Sequence, residues 1–177
     1  AAGVDEAEQA LIRDVLDSYQ YTNALALVVL SALLAHYEPR PADAVMPAGA
    51  APKPLGARIP ELPPMEALDP EVAALVSELN TFGEDTEPQL IASMYRHLAY
   101  WPSYLALVRT MLVPLQGQGQ LDALTQSTRA LGHAHGAVLA RQLKPSAPPE
   151  TLQSALAACR LFVEHPIARM TGICALI

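Results

Sequence analysis

The chain carries few charged residues. Asp, Glu, Lys and Arg together make up only 16% of its 177 residues. The formal net charge is −7, and the 11 basic residues are scattered along the sequence rather than clustered. Contacts with nucleic-acid phosphates need clustered Lys and Arg side chains. The composition therefore argues against a nucleic-acid partner.

Cysteine and long hydrophobic runs are also scarce. Cys159 and Cys174 match neither a metal-ligand spacing nor a disulfide framework. We expect both to be buried, reduced thiols in a cytosolic protein. The longest apolar run, Ala24 to Ala35, contains Ser31 and is too short to span a bilayer. We therefore expect no cysteine-held metal and no membrane partner.

Apolar residues and proline are abundant instead. Hydrophobic residues make up 51% of the chain, so much surface should be buried inside it or against a second copy in a homodimer. Nine of the 16 prolines lie between residues 38 and 70, a density that no helix or sheet interior tolerates. We predict an extended connector over residues 38–69 that packs along a surface. It separates residues 1–37 from residues 70–177.

The remaining sequence has helical patterns and no sustained alternation of period two, which predicts an all-α fold. Asp5 is placed to cap a first helix, and poor helix formers around Thr22 indicate two helices or one kinked helix before Tyr37. Proline at a first-turn position predicts helix starts at Pro70 and Pro102. We expect these later helices: Asp69 to about Phe82, a helix through Ser93, Pro102 to about Leu115, Gln120 to Leu143, one from about Pro149 that breaks around Pro166, and Ile167 to Ile177.

Gly132-His-Ala-His-Gly136 has the look of a metal-binding pair. On a helix, however, positions two apart point about 200° from each other, so His133 and His135 cannot share an ion. His135 follows the apolar stripe and is expected to be a core histidine. Gly132 and Gly136 are expected to let two helices approach closely.

Other polar residues suggest a site. Ser93 and His97 are four residues apart and can meet on one helix face. Asn23 lies on an apolar stripe, where an unmet buried amide costs about 1–3 kcal/mol. It either ties down the backbone at the kink or holds a ligand, and the sequence leaves both open. Met94 is expected to be core packing.

The stretches IRDVLDSYQYTNALALVVLSALL and SMYRHLAYWPSYL, with the connector between them and a closing helical hairpin, resemble the group I 2-haloacid dehalogenase family, which processes both D and L enantiomers. The resemblance implies two similar helical repeats joined by a long connector. Residues 1–37 would be the back half of the first repeat, and residues 70–177 the whole second one. The chain begins without methionine or a signal peptide, so we expect further residues ahead of Ala1.

The resemblance also implies a chemistry without metal or cofactor. In that family an aspartate activates a water molecule, which displaces halide from C2 of a 2-haloalkanoic acid. The family's asparagine matches Asn23, and the serine that binds the substrate carboxylate matches Ser93. The aspartate falls on Met94, and a pocket tyrosine falls near Cys159. Methionine cannot accept a proton, and losing a general base costs a factor of about 10²–10⁴.

Three functions follow as expectations. The first is a homologue that binds a small molecule, such as a short carboxylic acid, through Asn23, Ser93, Met94 and Cys159 without dehalogenase activity. The second is an active hydrolase whose base has moved to one of four residues of a loop and the next helix: Glu84, Asp85, Glu87 or His97. The third is a structural module that dimerises through its apolar surface.

Overall fold

The computed structural model describes residues 3–38, 59–83, 90–144 and 152–177. All regular structure in these ranges is helical and none of it is strand, so the predicted all-α class is confirmed. The helices, in chain order, are α1 Glu6–Tyr37, α2 Pro70–Leu79, α3 Ser93–Leu98, α4 Pro102–Gly117, α5 Gln120–Ala140, α6 Gln153–Phe162 and α7 Ala168–Cys174. A short 3₁₀ turn, Met65–Ala67, precedes α2.

The predicted helix starts agree with the structure. Asp5 caps α1 in a capping box with Glu8, whose side chain accepts the Asp5 N–H at 2.9 Å. The Asp69 carboxylate caps α2 and accepts the Glu71 N–H at 2.9 Å, with Pro70 in the first turn. Pro102 opens α4 in the same way. These helix starts depend only on nearby residues, namely a capping side chain or the fixed φ angle of proline.

The structure decides part of two predicted interruptions. The first helix is continuous through Thr22, so the alternative of two helices is wrong and that of one helix holds; the Thr22 hydroxyl donates to the Ser18 carbonyl at 2.8 Å within it. The chain also stays helical at Pro166, where Val163–Ile167 forms a π-helical segment that joins α6 to α7. Proline lacks an N–H and clashes with the carbonyl four residues earlier, and the wider π turn accommodates both effects.

Helix α1 passes through two apolar clusters. The larger cluster joins the first half of α1, including Ile12 and Val15, to α2, α3, α4 and α7. The smaller cluster joins the second half of α1, including Leu27 and Leu34, to α6 and the π segment. The two stretches that we assign to different repeats therefore share their cores. The repeat relationship itself stays a prediction, and residues 39–58 of the connector lie outside the described residues.

By length and composition α1 meets the criteria for a membrane span, with a mean hydropathy of 1.3 over its most apolar window. A mostly buried core helix meets the same criteria, and 22% of this window is buried. Helix α1 supplies fully buried side chains to both clusters, among them Val15 and Leu27 at 0% and 3% exposure.

The α1–α5 contact is closest at two glycines. A Cβ on Gly132 would lie 2.5 Å from the Leu27 Cγ atom, and a Cβ on Gly136 would lie 2.5 Å from the Ser31 Cβ atom. Leu27 lies against Gly132 and Ser31 lies against Gly136. Because the residue numbers rise together along both helices, the two helices run parallel here. The predicted role of the glycines is confirmed.

The two histidines between these glycines have separate surroundings. His133 Nε2 lies 3.1 Å from a carboxylate oxygen of Glu164, on the π segment. His135 is only partly buried, so the prediction that it is a core histidine is wrong. The five-residue motif is therefore a helix-packing element.

Substituting Gly136 by Ala should loosen this contact. The new methyl group would lie 2.7 Å from the Ala32 backbone N atom, which cannot move aside without shifting α1. We expect the free energy of unfolding to fall by about 1–3 kcal/mol, despite a gain of about 1 kcal/mol in helix propensity. Urea denaturation measures the change.

Gly117→Ala is the matched control, because a Cβ at Gly117 meets nothing within 4 Å. This variant should be as stable as the unmodified protein or slightly more stable. A Gly136→Ala protein that is no less stable than the unmodified one would contradict the close approach of the two helices.

Candidate functional site

Met94, which stands where the resembling family has its aspartate, is a core residue. It lies on the first turn of α3 with 1% of its surface exposed, inside the larger apolar cluster. The packing role predicted for it is confirmed. A carboxylate at this position would need polar partners or solvent, and the thioether needs neither.

Ser93 begins α3 and forms a side-chain hydrogen bond with Tyr19 of α1. Asn23 lies one helical turn beyond Tyr19, and both side chains are partly buried. The polar groups on this side of α1 therefore include Tyr19, one turn before Asn23, although both lie on the stripe that the sequence marks as apolar. The sequence analysis did not single out Tyr19, although its spacing of four from Asn23 was a usable signal.

His97 uses both ring nitrogens. Its Nε2 atom lies 3.0 Å from the Pro60 carbonyl oxygen, and its Nδ1 atom lies 2.6 Å from the Tyr19 hydroxyl. A carbonyl oxygen only accepts, so Nε2 carries the hydrogen and donates it to Pro60. Nδ1 must then accept the hydroxyl hydrogen of Tyr19. His97 is 4% exposed, and burial lowers the pKa of its imidazole below the usual range.

Tyr19 remains a donor over the physiological pH range. Burial raises the pKa of its phenol to about 12, and the hydrogen bond with Ser93 opposes that rise only in part. The result is a directed chain from Tyr19 through His97 to Pro60. It connects α1, α3 and the end of the Pro-rich connector in one polar path.

Residues 59–64, which we call the strap, are held by their carbonyl groups. Arg96 donates to the Pro63 carbonyl from Nε at 2.9 Å and from Nη2 at 2.6 Å. The Tyr100 hydroxyl donates to the Glu61 carbonyl at 2.8 Å. With the His97 contact, three side chains from α3 and the turn after it hold three carbonyls of the strap. These contacts show how the strap is held, and the Pro-rich connector as a whole stays a prediction.

Cys159 does not join this polar region. It packs against the smaller apolar cluster, beside Leu156 and Val163, whereas Met94 belongs to the larger one. Both cysteines are free thiols. Cys174 is buried and its thiol donates to the Leu16 carbonyl at 3.4 Å. Burial, followed by the nearby charge of Asp17, raises the pKa of the Cys174 thiol to about 12, so it stays protonated.

Glu84, Asp85 and Glu87, the other predicted candidates for a relocated base, lie outside the described residues. The two ends of their loop are tied together by Asn80. The Asn80 side chain donates to the Leu90 carbonyl at 3.0 Å and accepts the Ala92 N–H at 2.9 Å. Among the residues that the structure covers, no group of three His, Cys, Asp or Glu side chains is placed to hold a metal ion.

A cleft of about 620 Å³ opens between the strap, the start of α2 and the turn that joins α3 to α4. Its lining is largely apolar and includes Leu62, Leu68 and Val72. The lining also contains three residues with polar side chains, the carboxylates of Glu61 and Asp69 and the phenol of Tyr100. None of Asn23, Ser93, Met94 and Cys159 lines this cleft, so their predicted role in ligand binding stays a prediction.

Tyr19→Phe should test the polar path. The substitution removes the hydroxyl that donates to His97 and leaves the buried Nδ1 acceptor unmet, which costs about 1–3 kcal/mol of unfolding free energy. Tyr21→Phe is the matched control, because Tyr21 is 36% exposed on the same helix and its change should stay within about 0.5 kcal/mol. Equal losses in the two variants would contradict the assigned hydrogen bond.

Comparison with protein-family models, with curated proteins and with solved structures gives no match for this chain in any of the three. The resemblance to the group I 2-haloacid dehalogenases therefore stays a prediction from the quoted stretches.

Proposed function

We propose that this chain is a divergent relative of the group I 2-haloacid dehalogenases that binds a small molecule and does not cleave carbon–halogen bonds. The observation that carries the binding role is the cleft of about 620 Å³ beside the strap. Its size lies within the range of about 300–1,000 Å³ that is common for small-molecule sites. Its mainly apolar wall with a few polar groups has the usual composition of such sites.

The absence of dehalogenation follows from the proton chemistry at α3. Displacement of halide by water needs a group that can take a proton from the water. Met94 has no such group. His97, the nearby alternative, already accepts the Tyr19 hydrogen at Nδ1 and donates to Pro60 at Nε2, so no lone pair is left for a water molecule. Neither residue supports the hydrolytic mechanism.

The kind of ligand differs between the two candidate locations. A short carboxylic acid, which the resemblance implies, would have to bind beside Asn23 and Ser93, whose amide and hydroxyl groups donate hydrogen bonds. The cleft is less suited to such an acid, because its described lining contains Glu61 and Asp69 and no basic side chain. The cleft therefore favours a neutral or cationic ligand.

Halide release separates the proposal from an active hydrolase. We expect the unmodified protein to release no chloride or bromide above background from racemic 2-chloropropionate or 2-bromopropionate, because no base is available at Met94 or His97. An ion-selective electrode measures the rate. Halide release by the unmodified protein would contradict the proposal, and the substitutions Glu84→Gln, Asp85→Asn and Glu87→Gln would then identify the base.

Met94→Asp should be destabilising in a pH-dependent way. A carboxylate in this 1% exposed position lacks a partner, and the loss of unfolding free energy should reach about 3–5 kcal/mol near neutral pH. Burial raises the pKa of such a carboxyl above its unfolded value of about 3.9. The folded state then binds more protons than the unfolded state, so stability falls as pH rises above about 4.

Met94→Leu is the control for this experiment and should cost less than about 1.5 kcal/mol with no comparable pH slope. Urea denaturation of both variants at pH 4 and pH 7 gives the comparison. A Met94→Asp protein with full stability at pH 7 would mean that the residue faces a polar cavity. Halide release by that variant alone would then identify a dehalogenase pocket that has lost its base.

Binding to the cleft can be followed through Trp101, the single tryptophan of the chain. Its ring centroid lies 6.1 Å from that of Tyr100, which lines the cleft. We expect a saturable change in Trp101 emission on titration with benzyl alcohol, a neutral probe. Ala67→Phe, which fills the cleft from its exposed rim, should abolish the change.

Ala123→Phe, at an exposed position of α5, is the matched control and should bind as the unmodified protein does. Equal titration curves for the Ala67→Phe and Ala123→Phe proteins would remove the cleft as the binding site.

A further inference from the structure

The wall of the cleft is acidic. Between residues 59 and 72 the sequence has four acidic side chains, Glu61, Glu66, Asp69 and Glu71, and neither Lys nor Arg. Two of these, Glu61 and Asp69, belong to the lining itself. The nearest cation along α3, Arg96, uses its Nε and Nη2 groups on the Pro63 carbonyl and is not among the lining residues. Among the described residues, the lining therefore contributes two acidic side chains and no basic one.

Both lining carboxylates retain acceptor capacity. Asp69 uses Oδ1 to accept the Glu71 N–H at 2.9 Å, and its second oxygen, Oδ2, is left for a ligand. Glu61 is anchored by its backbone carbonyl, which accepts the Tyr100 hydroxyl at 2.8 Å, so the side chain is not needed for that contact. An ionised carboxylate carries a negative charge and therefore attracts an organic cation at short range, whether or not that cation has an N–H.

Tyr100 adds an aromatic surface at the same place. Its side chain is 47% exposed, and its position is fixed by the hydroxyl that donates to the strap. A cation within about 6 Å of the ring centre is attracted to the face of an aromatic ring. Carboxylates that flank an exposed tyrosine form a combination that attracts organic ammonium ions. The apolar side chains of Leu62, Leu68 and Val72 line the rest of the cleft.

From this arrangement we infer that the ligand of the cleft is a small organic cation, an ammonium group attached to an apolar body. The inference rests on the proposed function and adds the chemical class of the ligand to it. The ammonium group lies between Glu61, Asp69 and the Tyr100 ring. The apolar body contacts the leucine and valine side chains, and a carboxylic acid of the same size is repelled.

Three probes of similar size test this inference: benzyltrimethylammonium, benzyl alcohol and benzoate, each titrated against Trp101 emission at low ionic strength. We expect benzyltrimethylammonium to bind at least about tenfold more tightly than benzyl alcohol, and benzoate to bind more weakly than either. Raising the NaCl concentration to about 0.5 M should weaken only the cation, because exposed charges are screened.

Substitutions identify the groups responsible. The double variant Glu61→Gln, Asp69→Asn should bring the preference for the cation over benzyl alcohol down to about twofold or less, and asparagine still caps α2. Glu71→Gln, which removes one charge just outside the lining, should leave the preference intact. Tyr100→Leu, which removes the ring, should lower the preference several-fold, and Tyr100→Phe, which removes only the hydroxyl that fixes the ring, should lower it less.

The outcomes are distinguishable. Equal binding of benzyltrimethylammonium and benzyl alcohol overturns the inference and leaves the proposed small-molecule site in place. Binding of none of the three probes overturns both. A cation preference that survives in the Glu61→Gln, Asp69→Asn protein, whose folding is checked by its urea denaturation curve, also overturns the inference.

Discussion

The close parallel contact of α1 with α5 is the constraint on which the rest of the structure depends. It exists because Gly132 and Gly136 present no side chain to Leu27 and Ser31. At that separation, one continuous helix α1 can supply buried residues to both apolar clusters. A methyl group on either glycine forces α1 outward, and α1 carries the tyrosine that begins the polar path. Packing in the second half of α1 therefore bears on the position of Tyr19 in its first half.

From α1 the dependence continues to the cleft. Tyr19 donates to His97, and His97 donates to the Pro60 carbonyl. A proline-rich segment forms no hydrogen bonds of its own and leaves its carbonyls to outside donors. His97, Arg96 and Tyr100 supply those donors from α3 and the turn after it. The strap is fixed in this way, and the fixed strap is one wall of the cleft.

Features that depend on local chemistry were predictable from the sequence. Asp69 with Pro70, and Pro102 alone, predicted helix starts because capping and a fixed φ act within one turn. The glycines of α5 predicted a close approach because a residue without a side chain leaves room for a neighbouring helix. At Thr22 a hydroxyl bond inside the helix, and at Pro166 a π turn, keep the chain helical where an interruption was expected.

Contacts between distant parts of the chain were harder to predict from the sequence. Tyr19 and His97 are 78 residues apart, and periodicity predicts which face of a helix is apolar but not which helix it meets. Arg96 and Tyr100 were likewise missed as partners of the strap, since nothing in a proline-rich stretch specifies its donors. The alignment of Met94 and Cys159 with one pocket also suffered from this limit, because the two side chains pack in different clusters.

The lack of a base at position 94 and the tight packing around Met94 go together. A general base must be near water, and its carboxylate must be solvated or hydrogen-bonded. Met94, at 1% exposure, instead lies in the larger apolar cluster together with side chains of α1, α4 and α7. A single change to aspartate would introduce a charge without creating the cavity that such a charge needs. Return of hydrolysis at this position would require changes in the surrounding core, whereas the open cleft beside the strap already combines apolar surface with solvated carboxylates.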